Sequence, residues 1–250
     1  MPAMVRLLMA LLGSLALLPL KAQDAREIVR QADARARGNS SEARLTIEII
    51  RPGWKRELQM KAWSVGKDRS LVLVTAPPKD RGVVYLKRGK EVWNWIPSIE
   101  RSIKLPPSMM SQSWMGTDFT NDDLVKEASI VDDYTHRITG EETIDGYTCY
   151  RLELLPKPAA AVVWGKVLLW IERKDLLMLH AEYYDEQGKL VNTLHASAVK
   201  LLGGRLLPSV LEMVPAGKQG QKTVMRYEQL VFDKPLPEHW FTTAYMSRLQ

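Results

Sequence analysis

The chain has 250 residues, a hydrophobic content of 46% and a net charge of +6, so it can form one large or two small domains with a sizeable core. The mild positive charge permits contact with anionic lipid without requiring it. No lysine- or arginine-rich run is long enough, or interleaved with aromatic residues, to indicate a nucleic-acid partner. Cys149 is the only cysteine, so an internal disulfide is excluded and stability must come from packing.

Residues 1–22 have the pattern of a secretory signal peptide. Arg6 supplies the positive start, the apolar run at residues 7–18 is too short to span a bilayer, and Ala22 offers a cleavage site. An uncleaved N-terminal anchor is the alternative interpretation. No cysteine follows the apolar run, so we expect no N-terminal lipid on the exported chain.

Periodic patterns predict one helix followed by many strands. Residues 24–37 read as a helix with Asp24 as its N-cap, a narrow apolar stripe, and Gly38 at its end. From Ser41 onward apolar residues recur with period two between short turns, which is typical of strands. The predicted strands lie at residues 45–49, 58–62, 71–75, 83–86, 92–96, 134–142, 148–155, 163–172, 176–184, 190–199, 205–214 and 222–231.

Roughly a dozen strands with tight turns exceed what a flat sheet holds, so we expect a mainly β fold in which an antiparallel meander curls. No linker, low-complexity run or charge block divides residues 23–250, which we predict to form a single domain. Helical material is scarce: residues 24–37, a short helix after Thr120, and a C-terminal turn at residues 236–241 expected to pack its aromatic side chains on the sheet. This is too little to cover the inner face of a curled sheet, which predicts a cavity.

A loop rich in methionine and tryptophan separates the two sets of strands. Residues 108–116, SMMSQSWMG, carry no charge and no strand alternation, although loops usually face water. Because methionine adapts to irregular apolar partners, the loop either plugs a cavity or touches an apolar ligand. Two prolines precede it and Gly116 ends it, so we expect little backbone pairing and a mobile lid.

The loop is predicted to end at a capped helix. Thr120 is a suitable N-cap, and Asp122 and Asp123 fall in the first turn, where the helix dipole favours anions. Phe119 and Leu124 are spaced as a hydrophobic staple across that helix start.

The two flanks of this loop, WNWIPSIERSIKLP and SWMGTDFTNDDLV, resemble the bacterial outer-membrane lipoprotein-sorting proteins related to LolA. The resemblance is dense over residues 43–131 and looser towards the C-terminus. It implies a strongly curved antiparallel sheet, a half-open β-barrel, with a few helices in its concave side around an apolar ligand cavity. The predicted signal peptide separately implies a periplasmic location, with cleavage near Ala22.

The candidate ligand-binding residues are aromatic and methionine side chains in and beside the loop. Core packing is the alternative for each of them. Both faces of the strand at residues 92–96 are apolar, so one face should line the cavity and the other should be covered by a helix or a partner. The candidates are Trp93, Trp95, Met109, Met110, Trp114, Met115 and Phe119.

The search for catalytic and metal chemistry is mostly negative. There is no nucleophile elbow, zinc-protease motif, glycine-rich phosphate loop or C-x-x-C pair, so we expect no enzyme activity and no cofactor. His180 and His195 fall on successive predicted strands, and with Glu182 they could bind zinc, although histidines at the rim of the sheet are the simpler interpretation. Asp122 and Asp123 are better explained by helix capping than by catalysis.

Three functions remain open from the sequence. The first is a monomeric periplasmic carrier or chaperone that buries the acyl chains of a lipoprotein or a lipid. The second is a sensor or accessory subunit of an inner-membrane transporter of the RND or MMPL type, or of an envelope-stress system, by analogy of fold. The third, an enzyme acting on envelope lipids, is disfavoured because no nucleophile and base are paired.

Overall fold

The computed structural model describes residues 24–125, 129–158 and 160–249, so the predicted signal peptide and Ala22 lie outside the described residues. The described chain forms one antiparallel sheet, which confirms the predicted meander. Its strands are β1 (Ser40–Arg51), β2 (Trp54–Val65), β3 (Arg69–Ala76), β4 (Val84–Arg88), β5 (Glu91–Ile96), β6 (Arg101–Lys104), β7 (Tyr134–Ile144), β8 (Tyr147–Pro156), β9 (Lys166–Glu172), β10 (Met178–Tyr184), β11 (Leu190–Leu202), β12 (Arg205–Pro215) and β13 (Lys222–Phe232).

The helices are short and lie mostly outside the runs of strands. The α-helices are α1 (Ala25–Arg37), α2 (Asn121–Val125), α3 (Ser129–Asp132) and α4 (Thr243–Met246). Single turns of 3₁₀-helix occur at Pro97–Ile99, Pro107–Met109 and Glu238–Phe241.

The 13 strands follow the order β6-β5-β4-β3-β2-β1-β13-β12-β11-β10-β9-β8-β7. Strands that are consecutive in the chain are therefore neighbours in the sheet, except between β6 and β7, which are its two edges. The first and last strands, β1 and β13, pair in the middle. The sheet is not closed, in agreement with the expected half-open barrel.

Curvature of the sheet is evident from its core. Ile47 of β1 and Leu152 of β8 belong to one buried cluster although their strands are far apart in the sheet order, so the sheet must curl to bring its inner faces together. Val29 of α1 lies in the same cluster, which places this helix in the concavity. The predicted cap of α1 is confirmed, since the Asp24 side chain accepts a hydrogen bond from Arg26 N, 2.9 Å away, and Gly38 ends the helix at φ +68°.

The C-terminal segment covers the other face of the sheet. Phe241 is buried with Leu71 and Leu86, and the Trp240 ring meets the Trp63 ring edge-on at 5.8 Å. The expectation that these aromatic residues pack on the sheet is confirmed. The expectation that the turn helps to cover the concave face is wrong, because Trp63, Leu71 and Leu86 occupy the alternate positions of their strands that point outwards.

Candidate functional site

A cavity of ≈ 360 Å³ lies between the concave face of the sheet, α1 and the loop after β6. This volume is within the range of small-molecule sites, and most of its lining is aliphatic or aromatic, as is usual for such sites. Strands from both halves of the sheet contribute side chains, such as Tyr85 on β4 and Tyr183 on β10. The cavity therefore depends on the curl of the whole sheet.

The cavity wall is distinguished by apolar side chains that remain half-buried. They pack against fully buried core residues yet keep part of their surface exposed, and they line the cavity. A row of such residues on several strands indicates a wall that an apolar ligand can cover. These residues are Ala62, Val72, Tyr85, Ile130, Leu176, Met178, Tyr183, Leu211, Tyr227 and Leu230.

Two aromatic pairs stand on opposite sides of this wall. Tyr85 of β4 contacts Trp114 of the loop at 5.3 Å between ring centroids, and Trp164 contacts Tyr183 of β10 at 5.2 Å. Burial raises the pKa of Tyr85 to about 12, so its hydroxyl stays neutral at physiological pH. The wall is thus uncharged at the Tyr85–Trp114 pair.

Two acids at the start of α2, Asp122 and Asp123, border the cavity, and the hydrogen bonds of Asp123 hold the helix start. The Asp123 carboxylate accepts hydrogen bonds from Trp164 Nε1 at 2.7 Å and from the Thr120 backbone N–H at 2.8 Å. The Asp123 N–H donates to Thr120 Oγ1 at 3.1 Å, which completes a reciprocal capping box. Burial raises the pKa of Asp123 in spite of these bonds. The predicted N-cap is confirmed, and the carboxylate is engaged in holding the helix start.

The predicted hydrophobic staple falls partly on an undescribed side chain. Phe119 is buried and lines the cavity, but the Leu124 side chain lies outside the described residues. Phe119 is therefore placed as a wall residue.

The end of the cavity near the β2–β3 turn is polar. Lys87, on the concave face of β4, donates from Nζ to the Lys67 carbonyl at 2.8 Å, and Lys67 Nζ donates to Asp132 at 2.8 Å. Arg37 of α1 forms an ion pair with Asp33 one turn earlier. The cavity is therefore amphipathic, with an apolar body and a charged, hydrogen-bonded end.

The methionine-rich loop is closely paired. The backbone N–H groups of Met110, Trp114 and Asp122 donate to loop carbonyls at 2.9–3.1 Å, and Asn121 Nδ2 donates to the Met109 carbonyl at 2.9 Å. The expectation of little backbone pairing is therefore wrong. No sequence pattern indicates this pairing, because the partners are loop carbonyls a few residues away, which follow no strand or helix period.

Arginines of the β1–β2 hairpin anchor this loop to the sheet. Arg51 forms a two-pronged ion pair with Asp118 at 2.9 and 3.0 Å, and it donates to the Gly116 carbonyl at 3.0 Å. Arg56 donates to the Met115 carbonyl at 3.3 Å. Bidentate pairing of this kind fixes orientation as well as distance.

Five of the seven candidate ligand residues lie in this loop and its exit, but only some reach the cavity. Trp114, 2% exposed, and Phe119 line it. Met110 is buried in a separate small cluster with Val92 and Leu105, and Met109 packs beside that cluster. Met115 is half-buried against the main core. The methionines therefore pack into or beside the core and do not line the cavity.

Trp93 and Trp95 point away from the cavity. Their cross-strand partners Leu86 and Val84 are outward-facing, and both tryptophans pack against the C-terminal cluster of Phe241. Val92, on the opposite face of the same strand, lines the cavity. One face of β5 thus borders the cavity and the other is covered, and the tryptophans are on the covered face.

The sequence reasoning missed most of the wall, including Tyr85, Tyr183, Leu211 and Tyr227. The signal that could have found them is the phase of the strand alternation, since Tyr85 stands between the outward residues Val84 and Leu86. Fixing that phase requires knowing which face is concave, and the apolar pattern occurs on both faces here.

The two histidines on successive strands are paired as the sequence suggested. His180 and His195 are direct partners across β10 and β11, with ring centroids 6.4 Å apart. His195 Nε2 lies 3.0 Å from Asp145, and His180 Nε2 lies 3.8 Å from Glu182. Within the part of the chain that the structure describes, no group of three histidine, cysteine or acidic side chains is arranged to hold a metal ion. Among the same residues, no helix is long and apolar enough to cross a membrane.

Three solved structures share this architecture. A DUF1329 family protein from Desulfovibrio piger is 25% identical, with a TM-score of 0.81, and the match covers 91% of this chain and 100% of the other. A LolA superfamily protein from Nitrosomonas europaea is 28% identical, with a TM-score of 0.77 over 90% of this chain and 100% of the other. The domain of an outer-membrane lipoprotein-sorting protein, described as putative, from Vibrio parahaemolyticus is 21% identical, with a TM-score of 0.81 over 90% and 98%.

Comparison by sequence leads to a family without a described activity. No curated protein matches the chain. A family model described as "Uncharacterized protein" matches residues 66–248, which is most of the chain and includes the loop, α2 and most of the strands that form the cavity. The chain therefore belongs to this family of uncharacterized proteins, and its fold is LolA-like.

Proposed function

We propose that the protein is a non-enzymatic carrier that holds the acyl chains of a lipid or a lipoprotein in its cavity. The observation that carries the proposal is the row of half-buried apolar side chains on the concave wall, from Ala62 to Leu230. The likeness to LolA-superfamily and lipoprotein-sorting structures supports the same class of function.

Burial of the chain supplies the affinity. Each methylene removed from water contributes roughly 0.8 kcal/mol, so a ligand needs no covalent bond to stay bound. The aromatic pairs Tyr85–Trp114 and Trp164–Tyr183 provide flat, uncharged contact surfaces for the chain. The polar end at Lys67 and Lys87 receives the less apolar part of the ligand.

The protein would act in the periplasm after export. The predicted signal peptide at residues 1–22 supports this location, and residues 23–250 would be the mature single-domain carrier. N-terminal sequencing of the exported protein should begin at Gln23. A mature chain that keeps Met1 would contradict cleavage.

Mass spectrometry of the purified protein tests the proposal. Protein prepared without detergent should release acyl-bearing molecules on extraction with organic solvent. Leu211→Asp places a carboxylate on the cavity wall and should abolish this co-purification, because an unpaired charge would be desolvated by the acyl chain. Val210→Asp is the matched control. Val210 directly precedes Leu211 on β12, is also half-buried and faces outwards.

Two results would contradict different parts of the proposal. Folded Leu211→Asp protein with as much bound lipid as Val210→Asp would show that the cavity is not the binding site. Wild-type protein that is free of lipid and also fails to bind a fluorescent fatty acid would contradict the carrier function itself.

A further inference from the structure

Trp54 is the most exposed tryptophan of the molecule. Its side chain is 51% exposed, whereas the other seven tryptophans are buried or half-buried. It stands immediately after the β1–β2 turn, opposite Arg51 in the register. The turn is Pro52-Gly53, with Gly53 at φ +85°, which matches the third position of a type II turn. A tight turn thus presents a large aromatic side chain to solvent at a hairpin tip.

A second hairpin tip lies beside the first. A Cβ on Gly220, in the β12–β13 turn, would be 3.8 Å from the Pro52 ring, and Arg51 Nη1 donates to the Lys222 carbonyl at 3.2 Å. The two tips therefore form one surface at one end of the sheet, which we call the tip surface: residues 51–56 and 215–222.

The tip surface is basic. Its sequences RPGWKR and PAGKQGQK contain five lysines and arginines and no acid. Four of these cations have carboxylate partners elsewhere on the sheet or in its loops: Arg51 with Asp118, Lys55 with Glu48, Arg56 with Asp80 and Lys222 with Glu212. Lys218 is exposed in the turn, and the Lys55 side chain keeps 66% of its surface exposed. Lys55 and Lys218 are therefore the exposed cations of the surface that carries the indole.

We propose that the tip surface docks on an anionic membrane, with Trp54 entering the headgroup layer and Lys55 and Lys218 contacting lipid phosphates. An indole ring is favoured at the membrane interface, where its apolar body and its N–H are both accommodated. Lysine and arginine side chains near an anionic bilayer add attraction that falls off within a Debye length. A single aromatic residue with a few cations gives reversible docking.

Docking would bring the cavity loop to the membrane. The same hairpin anchors that loop, since Arg51 and Arg56 donate to the carbonyls of Gly116 and Met115. Trp114, just before those residues, lines the cavity. Docking by the tip surface is separate from the carrier function and does not depend on what the cavity holds.

Vesicle co-sedimentation tests the docking. The purified protein should sediment with equimolar phosphatidylglycerol–phosphatidylcholine vesicles and much less with pure phosphatidylcholine vesicles. Trp54→Ser should weaken binding at least about fivefold, and the double variant Lys55→Glu, Lys218→Glu should weaken it by about tenfold or more. Added salt should weaken wild-type binding to the anionic vesicles.

The matched control is Leu201→Ser. Leu201 is 69% exposed and lies at the β11–β12 hairpin, at the opposite end of β12 from the tip surface, so its loss should leave binding unchanged. Vesicles with brominated acyl chains give a second readout, because they should quench wild-type tryptophan fluorescence more than that of Trp54→Phe. Equal binding to both kinds of vesicle, equal binding by Trp54→Ser, or an equal loss in Leu201→Ser would overturn the proposal. If the true partner is an acidic protein, the protein should bind neither kind of vesicle, which is one form of the first result.

Discussion

The two faces of the sheet are both rich in large apolar side chains, yet they differ in how those side chains are covered. On the convex face, Trp93 and Trp95 pack against the C-terminal segment, where Phe241 fills the space between strands. On the concave face, α1 and the loop cover the centre and leave a cavity bordered by half-buried residues such as Tyr85 and Leu211. Cover by the chain's own C-terminal segment therefore distinguishes the convex face, and incomplete cover distinguishes the concave face with its cavity.

The comparison between Trp93 and Trp114 makes the same point at single residues. They are 21 positions apart in the chain. Trp93 is in contact with the chain's own C-terminus, whereas Trp114 borders the cavity beside Tyr85.

Removing the convex cover should cost the most stability. Phe241→Ala, at a side chain 1% exposed, should lower the free energy of unfolding by about 3–5 kcal/mol because it leaves a cavity under the C-terminal segment. The measurement is denaturant unfolding, with exposed Thr243→Ala as control. Acyl-chain affinity of the folded variant should be unchanged. A large loss of affinity would mean that the two faces are coupled.

Breaking the loop anchor should cost less stability but should expose the loop. Arg51→Ala removes an ion pair whose side chains are only 14% and 7% exposed, and the expected loss is about 3 kcal/mol because Asp118 stays buried. Asp118 still accepts from Thr223 Oγ1 at 2.7 Å, which limits the damage. Limited proteolysis should then cut within residues 105–120. Arg101→Ala, at an exposed edge position, should behave like wild type in both assays.

Tryptophan fluorescence can separate the faces directly. Titration with a fatty acid should shift the emission of the wild-type protein, and Trp114→Leu should reduce both the shift and the affinity, the latter by about tenfold, or about 1.4 kcal/mol. Trp93→Leu should keep the affinity and the shift. An undiminished shift in Trp114→Leu, with loss of the shift in Trp93→Leu, would place the ligand on the convex face.

Acid should destabilise the protein slightly through His180 on the convex face. Burial lowers the pKa of His180 below its ordinary value of 6.5, with His195 adding to the shift and Glu182 opposing it. The unfolded chain therefore binds more protons just below pH 6.5, so stability is lost as the pH falls from 6.5 towards the folded pKa. Thermal melting between pH 8 and pH 5 should fall less steeply in His180→Gln. An unchanged slope would show that burial does not suppress protonation of this histidine.

Much of the fold could be predicted from local patterns. Period-two alternation located 12 of the 13 strands and missed β6, a four-residue edge strand whose residues are all exposed. The two caps, Asp24 and Thr120, were recognisable because each uses its own side chain on a nearby backbone N–H. The strand edges were less certain: residues 163–165 were expected in β9, which begins at Lys166. Boundaries depend on which backbone groups find partners, and those partners come from elsewhere in the chain.

The candidate site could be predicted only in part, because its residues are defined by the face on which they lie. The sequence predicted four aromatic residues as ligand contacts. In the structure Trp114 and Phe119 line the cavity, whereas Trp93 and Trp95 lie on the opposite face. Tyr85 and Leu211 lie far apart in sequence and share the wall only because the sheet curls. Their apolar character says that they are buried, but not against what.

The sequence by itself determined most of the strands, the capped helix starts and the uncharged loop, because each rests on residues close in the chain. Its resemblance to a known family implied a curved sheet around a cavity. Only the tertiary structure decided which face became concave, where the C-terminal segment packed, and that Arg51 holds the loop. Those outcomes depend on contacts between distant segments, such as Phe241 with Leu71 and Arg51 with Asp118. Alternation with period two assigns residues to two faces, and curvature of the assembled sheet decides which of them encloses the cavity.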